Sequence, residues 1–184
     1  PNMSIFAPKN DSELAAGLEF GLMNYNGPFA IRYPRGKACT RFREFNEPVL
    51  YGKSEVLYME KDIALLAVGS MVETASDVRD KLKEKGYNVS LINARFVKPV
   101  DTTVIHRCAD NHQLLVTLEE NVYTGGFGER VCHYVEEACL NIKVLNISLP
   151  DDYVEHGNVE ILKAEEGINA DSIITRVESF YNNM

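Results

Sequence analysis

The stretch Ile63-Ala64-Leu65-Leu66-Ala67-Val68-Gly69-Ser70-Met71-Val72-Glu73 decides the fold class. Six consecutive apolar residues ended by Gly69 predict a strand buried on both faces, since a half-exposed strand would alternate. Ser70-x-x-Glu73 reads as a capping box that opens a helix. In that helix Val72, Ala75, Val78 and Leu82 recur on one face. Lys81, Lys83 and Lys85 gather near its C-terminus, where positive charge complements the helix dipole, and Gly86 is the left-handed stop. Val89 to Ile92 follows as the next strand. A strand, a helix and a strand in one run predict parallel pairing under a helical cover.

Working outward, the same alternation continues. Glu55 to Met59 reads as a strand ahead of the buried run. Asp101 caps a short helix to about Ala109, and Gln113 to Leu118 forms another strand. Gly125-Gly126-Phe127-Gly128 opens a helix to Leu140, Val144 to Ile147 is a strand, and two helices near 159–166 and 171–182 complete the chain. The fold class is therefore α/β, a mostly parallel sheet with helices on both faces. Toward the N-terminus, Ser4 to Ala7 reads as a short strand stopped by Pro8. Asn10, Asp11 and Ser12 offer cap oxygens for a helix to about Asn24, in which Leu14, Leu18, Leu22 and Tyr25 recur at helical spacing. Pro28 to Tyr33 reads as a second strand. One βαβ unit needs a larger parallel sheet, so the first 36 residues read as the tail of a domain begun elsewhere. The aromatic and charged run Arg41 to Pro48 has neither period and reads as a linker.

Composition narrows the function classes. The 184 residues carry 19 Lys+Arg against 27 Asp+Glu, a net charge of −8, with 45% hydrophobic residues. This balance disfavours nucleic acid and anionic membrane as partners. The Ile63–Val68 run is too short to span a bilayer, and residues 1–3 do not begin a secretory signal, so a cytoplasmic protein is expected. Cys39, Cys108, Cys132 and Cys139 show no ligand-pair spacing with each other or with His106, His112 or His133, and read as buried reduced thiols.

The strongest chemical signal is Arg32-Tyr33-Pro34-Arg35-Gly36-Lys37, at the C-terminal end of a predicted parallel strand, where open α/β sheets place ligands. Arg32, Arg35, Lys37, Arg41 and Arg43 fall within twelve residues that hold no acid. A cationic patch on an acidic chain suits a small phosphate or carboxylate, and arginine grips either bidentately. The competing reading is a solvated linker whose arginines pair with Glu44 and Glu47. Glu119 and Glu120 end another strand, but adjacent strand residues face opposite ways, so bonding to local backbone N–H groups is the favoured role. The Gly125–Gly128 turn precedes a helix N-terminus yet lacks phosphate-loop spacing, and tight packing is its favoured role. His156 is a candidate acid–base group because histidine titrates near neutrality.

Read in order, several stretches carry a resemblance. They are Ala30 to Gly36 (AIRYPRG), Ala67 to Val72, Ala94 to Asp101 (ARFVKPVD), Thr117 to Asn121, Gly125 to Gly128 and Leu149 to Gly157 (LPDDYVEHG). Together the chain resembles the 1-deoxy-D-xylulose-5-phosphate synthase family of the transketolase superfamily. The resemblance implies the tail of a thiamine pyrimidine-binding domain over residues 1–40, a linker over 41–54 and a transketolase C-terminal-like domain over 55–184. It implies a cytoplasmic homodimer that joins pyruvate to D-glyceraldehyde 3-phosphate with loss of carbon dioxide, supplying isoprenoid, thiamine and pyridoxal synthesis. Thiamine diphosphate and magnesium would be held mainly by domains N-terminal to these residues, through a GDG…N motif absent here. The fragment by itself would then be inactive. Arg35 matches the family's arginine for the glyceraldehyde phosphate, while Arg32, Tyr33 and His156 are candidates to line the site.

Two other readings stay open on the sequence. One is a different superfamily member, such as the β subunit of a 2-oxo acid dehydrogenase or a split transketolase subunit. The other is a non-catalytic module that binds a small anion.

Overall fold

The computed structural model describes residues 2–184. Its larger sheet has five strands in the order β3 (Glu55–Tyr58), β5 (Val89–Asn93), β4 (Asp62–Ala67), β7 (His112–Val122) and β8 (Lys143–Leu149). β4 pairs in parallel with both β5 and β7, and β7 with β8; the edge strand β3 is antiparallel. β4 is the expected dry run, with Ile63 to Val68 buried almost completely.

Helices cover both faces. On one, α2 (Met71–Glu84) packs Val72, Ala75, Val78 and Leu82 against Ile173, Ile174 and Val177 of α6 (Ala170–Asn182). On the other, α3 (Thr102–Asn111) and α4 (Phe127–Glu137) bury Val104, Ile105, Val131 and Val135. Asp101 caps α3 by accepting from the backbone N–H of Thr103 and Val104, and Gly86 ends α2 at φ 94°. Between β8 and α6 lies the short α5 (Val159–Glu165).

The capping box is not formed. Ser70 adopts helical dihedrals, and its hydroxyl donates instead to Glu120 Oε2 at 2.5 Å. A nearby carboxylate draws that hydroxyl away from the backbone N–H it would otherwise receive.

The first unit consists of β1 (Ser4–Phe6), α1 (Asp11–Met23) and β2 (Phe29–Ile31). β1 and β2 pair in parallel, and β6 (Phe96–Lys98) completes a three-stranded sheet by pairing antiparallel with β1. The aromatic rings of Phe6, Phe20 and Phe96 close the seam between the units, with Phe6 and Phe96 centroids 5.1 Å apart. Beside it Lys9 and Glu13 of the first unit meet Glu55 and Arg95 of the second in a buried ion network.

The apolar stripe that marks α1 as a helix is not the face it buries. Glu13, Gly17 and Phe20 face inward, while Leu18 (49% exposed), Leu22 (80%) and Met23 (79%) face out. Gly17 explains the choice: a Cβ there would lie 2.3 Å from the Phe6 ring. Only a glycine lets α1 lie this close to β1.

Candidate functional site

Arg32 continues the β2 edge, its N–H donating to the Phe6 carbonyl at 2.8 Å. The chain then bends over residues 35–37, where Gly36 adopts φ 123°, which a side chain would strain. The segment 33–39 thus arches over the start of α1. Between them lies a pocket of about 350 Å³ lined by Lys9, Asn10, Leu14, Arg35, Lys37 and Ser70, among others. Arg35 and Lys37 are exposed along it, so Arg35 is not consumed by an interior ion pair.

Two of the five cations of the cluster have structural work. Arg41 pairs with Asp77 at 3.0 Å and Glu73 at 3.5 Å, and Arg43 pairs with Asp11. These partners belong to α1 and α2, not to the Glu44 and Glu47 that proximity in sequence suggested. Arg43 holds the Asp11 carboxyl below its ordinary value.

A smaller pocket, about 80 Å³, adjoins the first and is lined by Ala7, Arg32, Tyr33, Pro34, Gly69, Ser70 and Glu120, among others. Its place in the fold is informative. The connection after β4 leads to β5 on one side, whereas β7 and β8 lie on the other. The C-terminal ends of β4 and β7 therefore flank a topological switch point, the usual crevice for a ligand in such sheets. Arg32, Tyr33 and Pro34 of the first unit cover this crevice.

Glu119 and Glu120 diverge as the strand period demands. Glu119 is buried and accepts from the N–H groups of Phe127 at 2.9 Å and Gly128 at 2.7 Å. Burial pushes its carboxyl up, against the lowering effect of those two N–H groups and of Arg32. The Gly125–Gly128 turn thus receives an anion from its own chain. A Cβ at Gly126 would lie 2.4 Å from the Val122 carbonyl, and one at Gly128 would lie 2.6 Å from Thr117 Oγ1, so this is a packing turn. Glu120 faces the switch point, bound by Ser70 and, at 2.7 Å, by Lys163 of α5. Burial pushes Glu120 up, but Lys163, Ser70 and Arg32 outweigh it and hold the carboxyl below its ordinary value.

His156 is exposed in the irregular segment between β8 and α5 and lines neither pocket. His106 bonds the Tyr134 hydroxyl at 2.9 Å, and His133 is exposed on α4. His112 is buried, with Nδ1 3.0 Å from the Cys108 carbonyl and Nε2 2.8 Å from Ser90 Oγ. The carbonyl can only accept, so Nδ1 carries a proton, and in the neutral ring Nε2 is left to accept from Ser90. Among the cysteines only Cys108 is buried; Cys39 and Cys132 are half-buried, and Cys139 is exposed in a left-handed turn past α4. Expecting all four to be buried was thus wrong, because α4 ends before Cys139. Among the described residues no group of three or more His, Cys, Asp or Glu could hold a metal, and no helix is long and apolar enough to cross a membrane.

Comparison with known proteins agrees with this geometry. The family described as transketolase, C-terminal domain, matches residues 52–173. The 1-deoxy-D-xylulose-5-phosphate synthase of Lachnoclostridium phytofermentans is 43% identical over 178 residues, covering 96% of this chain and 28% of that protein. The synthase of Dictyoglomus thermophilum is 40% identical over 180 residues, covering 97% and 29%. The chain thus spans under a third of the length of these curated relatives. Among solved structures, a split-gene transketolase in an inactive β4 tetramer superposes with a TM-score of 0.87 at 24% identity, over 97% of this chain and 57% of that one. A Pichia stipitis transketolase gives 0.71 at 14% identity, over 100% and 26%. These two share the fold. The switch-point crevice, the five-stranded mixed sheet and the family match agree: the chain belongs to the transketolase C-terminal domain family.

Proposed function

We propose that this chain is the C-terminal part of a 1-deoxy-D-xylulose-5-phosphate synthase, and that its own task there is to hold the phosphate of D-glyceraldehyde 3-phosphate. The supporting observation is Arg35, exposed in the segment that follows the parallel strand β2, beside a pocket large enough for a triose phosphate. Its guanidinium would grip two phosphate oxygens at once, with Lys37 adding charge and Gly36 letting the backbone approach. Arg32 and Tyr33 would line the neighbouring crevice. In the whole enzyme the aldehyde carbon joins the two-carbon unit left when pyruvate loses carbon dioxide. Fixing the phosphate holds that aldehyde in one orientation.

Thiamine diphosphate supplies the electron sink for that decarboxylation. The residues present do not fit it. No metal-binding group of acids, histidines or cysteines occurs among the described residues, Glu119 is committed to α4, and Glu120 to Ser70 and Lys163. The cofactor and magnesium are therefore assigned to other domains of the full-length protein, and turnover by this chain alone is not expected. The division into residues 1–40, 41–54 and 55–184 accords with the lack of helix and strand over 32–54 and with a family match that begins at residue 52. The outward apolar face of α1 suits burial against those further domains or a second copy in a homodimer. Cytoplasmic residence completes the proposal.

The test is Arg35→Ala in the full-length enzyme. Transition-state stabilisation with glyceraldehyde 3-phosphate should fall by about 2–4 kcal/mol, the scale of a lost charge-assisted phosphate contact, while pyruvate saturation is unchanged. Equal damage to both substrates would make Arg35 structural and overturn the assignment.

A further inference from the structure

Lys9, Glu13, Glu55 and Arg95 form a closed ring of two cations and two anions between the units. Lys9 Nζ lies 3.1 Å from Glu13 Oε1 and 2.7 Å from Glu55 Oε2. Arg95 donates through Nε to Glu13 Oε1 at 2.7 Å and through Nη2 to Glu55 Oε1 at 2.8 Å. Asn93 Nδ2 lies 2.9 Å from each Glu13 oxygen. None of the four ionic side chains exceeds 3% exposure.

Arg95 reaches further than the ring. Its Nη2 and Nη1 also donate to the carbonyls of Glu47 at 2.8 Å and Pro48 at 3.1 Å. Its own carbonyl accepts from Ala7 N–H at 2.7 Å, and its φ of 56° is uncommon for a residue with a side chain. One residue in a costly conformation thus ties together the end of β1, the start of α1, the 47–48 segment and β3. Buried ion pairs add little net stability over well-packed apolar groups, but they reward a single geometry. Hydrogen bonds join the amino end of α1 to the pocket wall. Asn10 caps α1 and donates through Nδ2 to the Arg41 carbonyl at 2.8 Å, and Asp11 N–H donates to the Cys39 carbonyl at 3.2 Å. The amino end of α1 therefore carries the segment on which Arg35 and Lys37 sit.

We propose that Arg95 is a positioning residue for the Arg35 pocket, holding the amino end of α1 against the second unit and, through it, the 33–41 arch. The inference rests on the reading of that pocket as a sugar-phosphate site. Its test is Arg95→Lys, which keeps the charge but loses the fork, beside Arg95→Met, both in the full-length enzyme. Arg95→Met should raise KM for glyceraldehyde 3-phosphate on the order of tenfold or more and leave KM for pyruvate within about twofold, with Arg95→Lys in between. Amide exchange should quicken at residues 10–14 and 33–41 and stay unchanged in β4 and β7. Equal KM changes for both substrates, or faster exchange throughout, would overturn the proposal, as would a loosened arch with unchanged KM for glyceraldehyde 3-phosphate. Should Arg95→Met not fold, Arg95→Lys decides by the same two readouts. Arg35→Ala, run alongside, separates the two readings. If it spares glyceraldehyde 3-phosphate, the sugar-phosphate reading is overturned, while selective exchange at 10–14 and 33–41 still decides whether Arg95 holds the wall.

Discussion

Removing the Glu119 carboxylate should unfasten the start of α4 from the end of β7. Glu119→Ala leaves two buried N–H groups, those of Phe127 and Gly128, without the oxygens now 2.9 and 2.7 Å away. Each orphaned donor costs about 1–3 kcal/mol, so the pair should cost about 2–6 kcal/mol. Glu119→Gln keeps one acceptor oxygen and loses the other, and about 1–2 kcal/mol is expected. The pH dependence has a definite sign. Burial raises the folded carboxyl above its ordinary 4.5. The native state then binds more protons than the unfolded chain within that window. The wild-type advantage over Glu119→Gln is fully present below 4.5 and shrinks as pH rises through the folded value. Urea unfolding at pH 4 and pH 7, with linear extrapolation, measures both quantities. A loss under about 1 kcal/mol for Glu119→Ala, or a Gln variant weaker than the Ala variant, would refute the reasoning.

Three other outcomes are expected. Burial, reinforced by Arg107 and opposed by the Cys108 carbonyl and Asp62, depresses His112 below 6.5, so its contribution to stability is present above 6.5 and lost as pH falls through the folded value. Unfolding free energy should fall by up to about 1.4 kcal/mol per pH unit there, and His112→Gln should flatten that slope; an unchanged slope would rule His112 out. A thiol reagent at neutral pH should modify the exposed Cys139 first and leave native Cys108 untouched, since burial pushes the Cys108 thiol up to about 12; equal labelling rates by mass spectrometry would contradict the fold there. Gly17→Ala sets a methyl against the buried Phe6 ring and should cost about 1–3 kcal/mol in thermal or urea unfolding, and a neutral result would mean that α1 can shift outward.

Much of the second unit was legible because its signals are local. The dry run of β4, the amphipathic face of α2, the Gly86 stop and the Asp101 cap each act over a few residues, and each appears as read. Arg35 and Lys37 lie in the segment just past β2, along the wall of an open pocket. The failures share the opposite property. Ser70 abandoned its cap for Glu120, fifty residues away. β6 is three residues long and exists because β1 offers it hydrogen bonds. Arg95 and Glu13 are 82 residues apart, and no period or spacing links them.

The outward leucines of α1 show the division most plainly. Their spacing was enough to make a helix, because helix formation depends on neighbours three and four residues away. Which side of that helix turns inward was a tertiary matter, settled by how closely Gly17 lets the backbone approach Phe6. The amino-acid order alone thus determined the helices, the strands of the large sheet and a cationic strand end. Only the packed chain decided which of those cations pair with α1 and α2, which remain beside the pocket, and which buried charges join the two units. Ion pairing and close packing depend on distance in space, and distance along the chain does not report it.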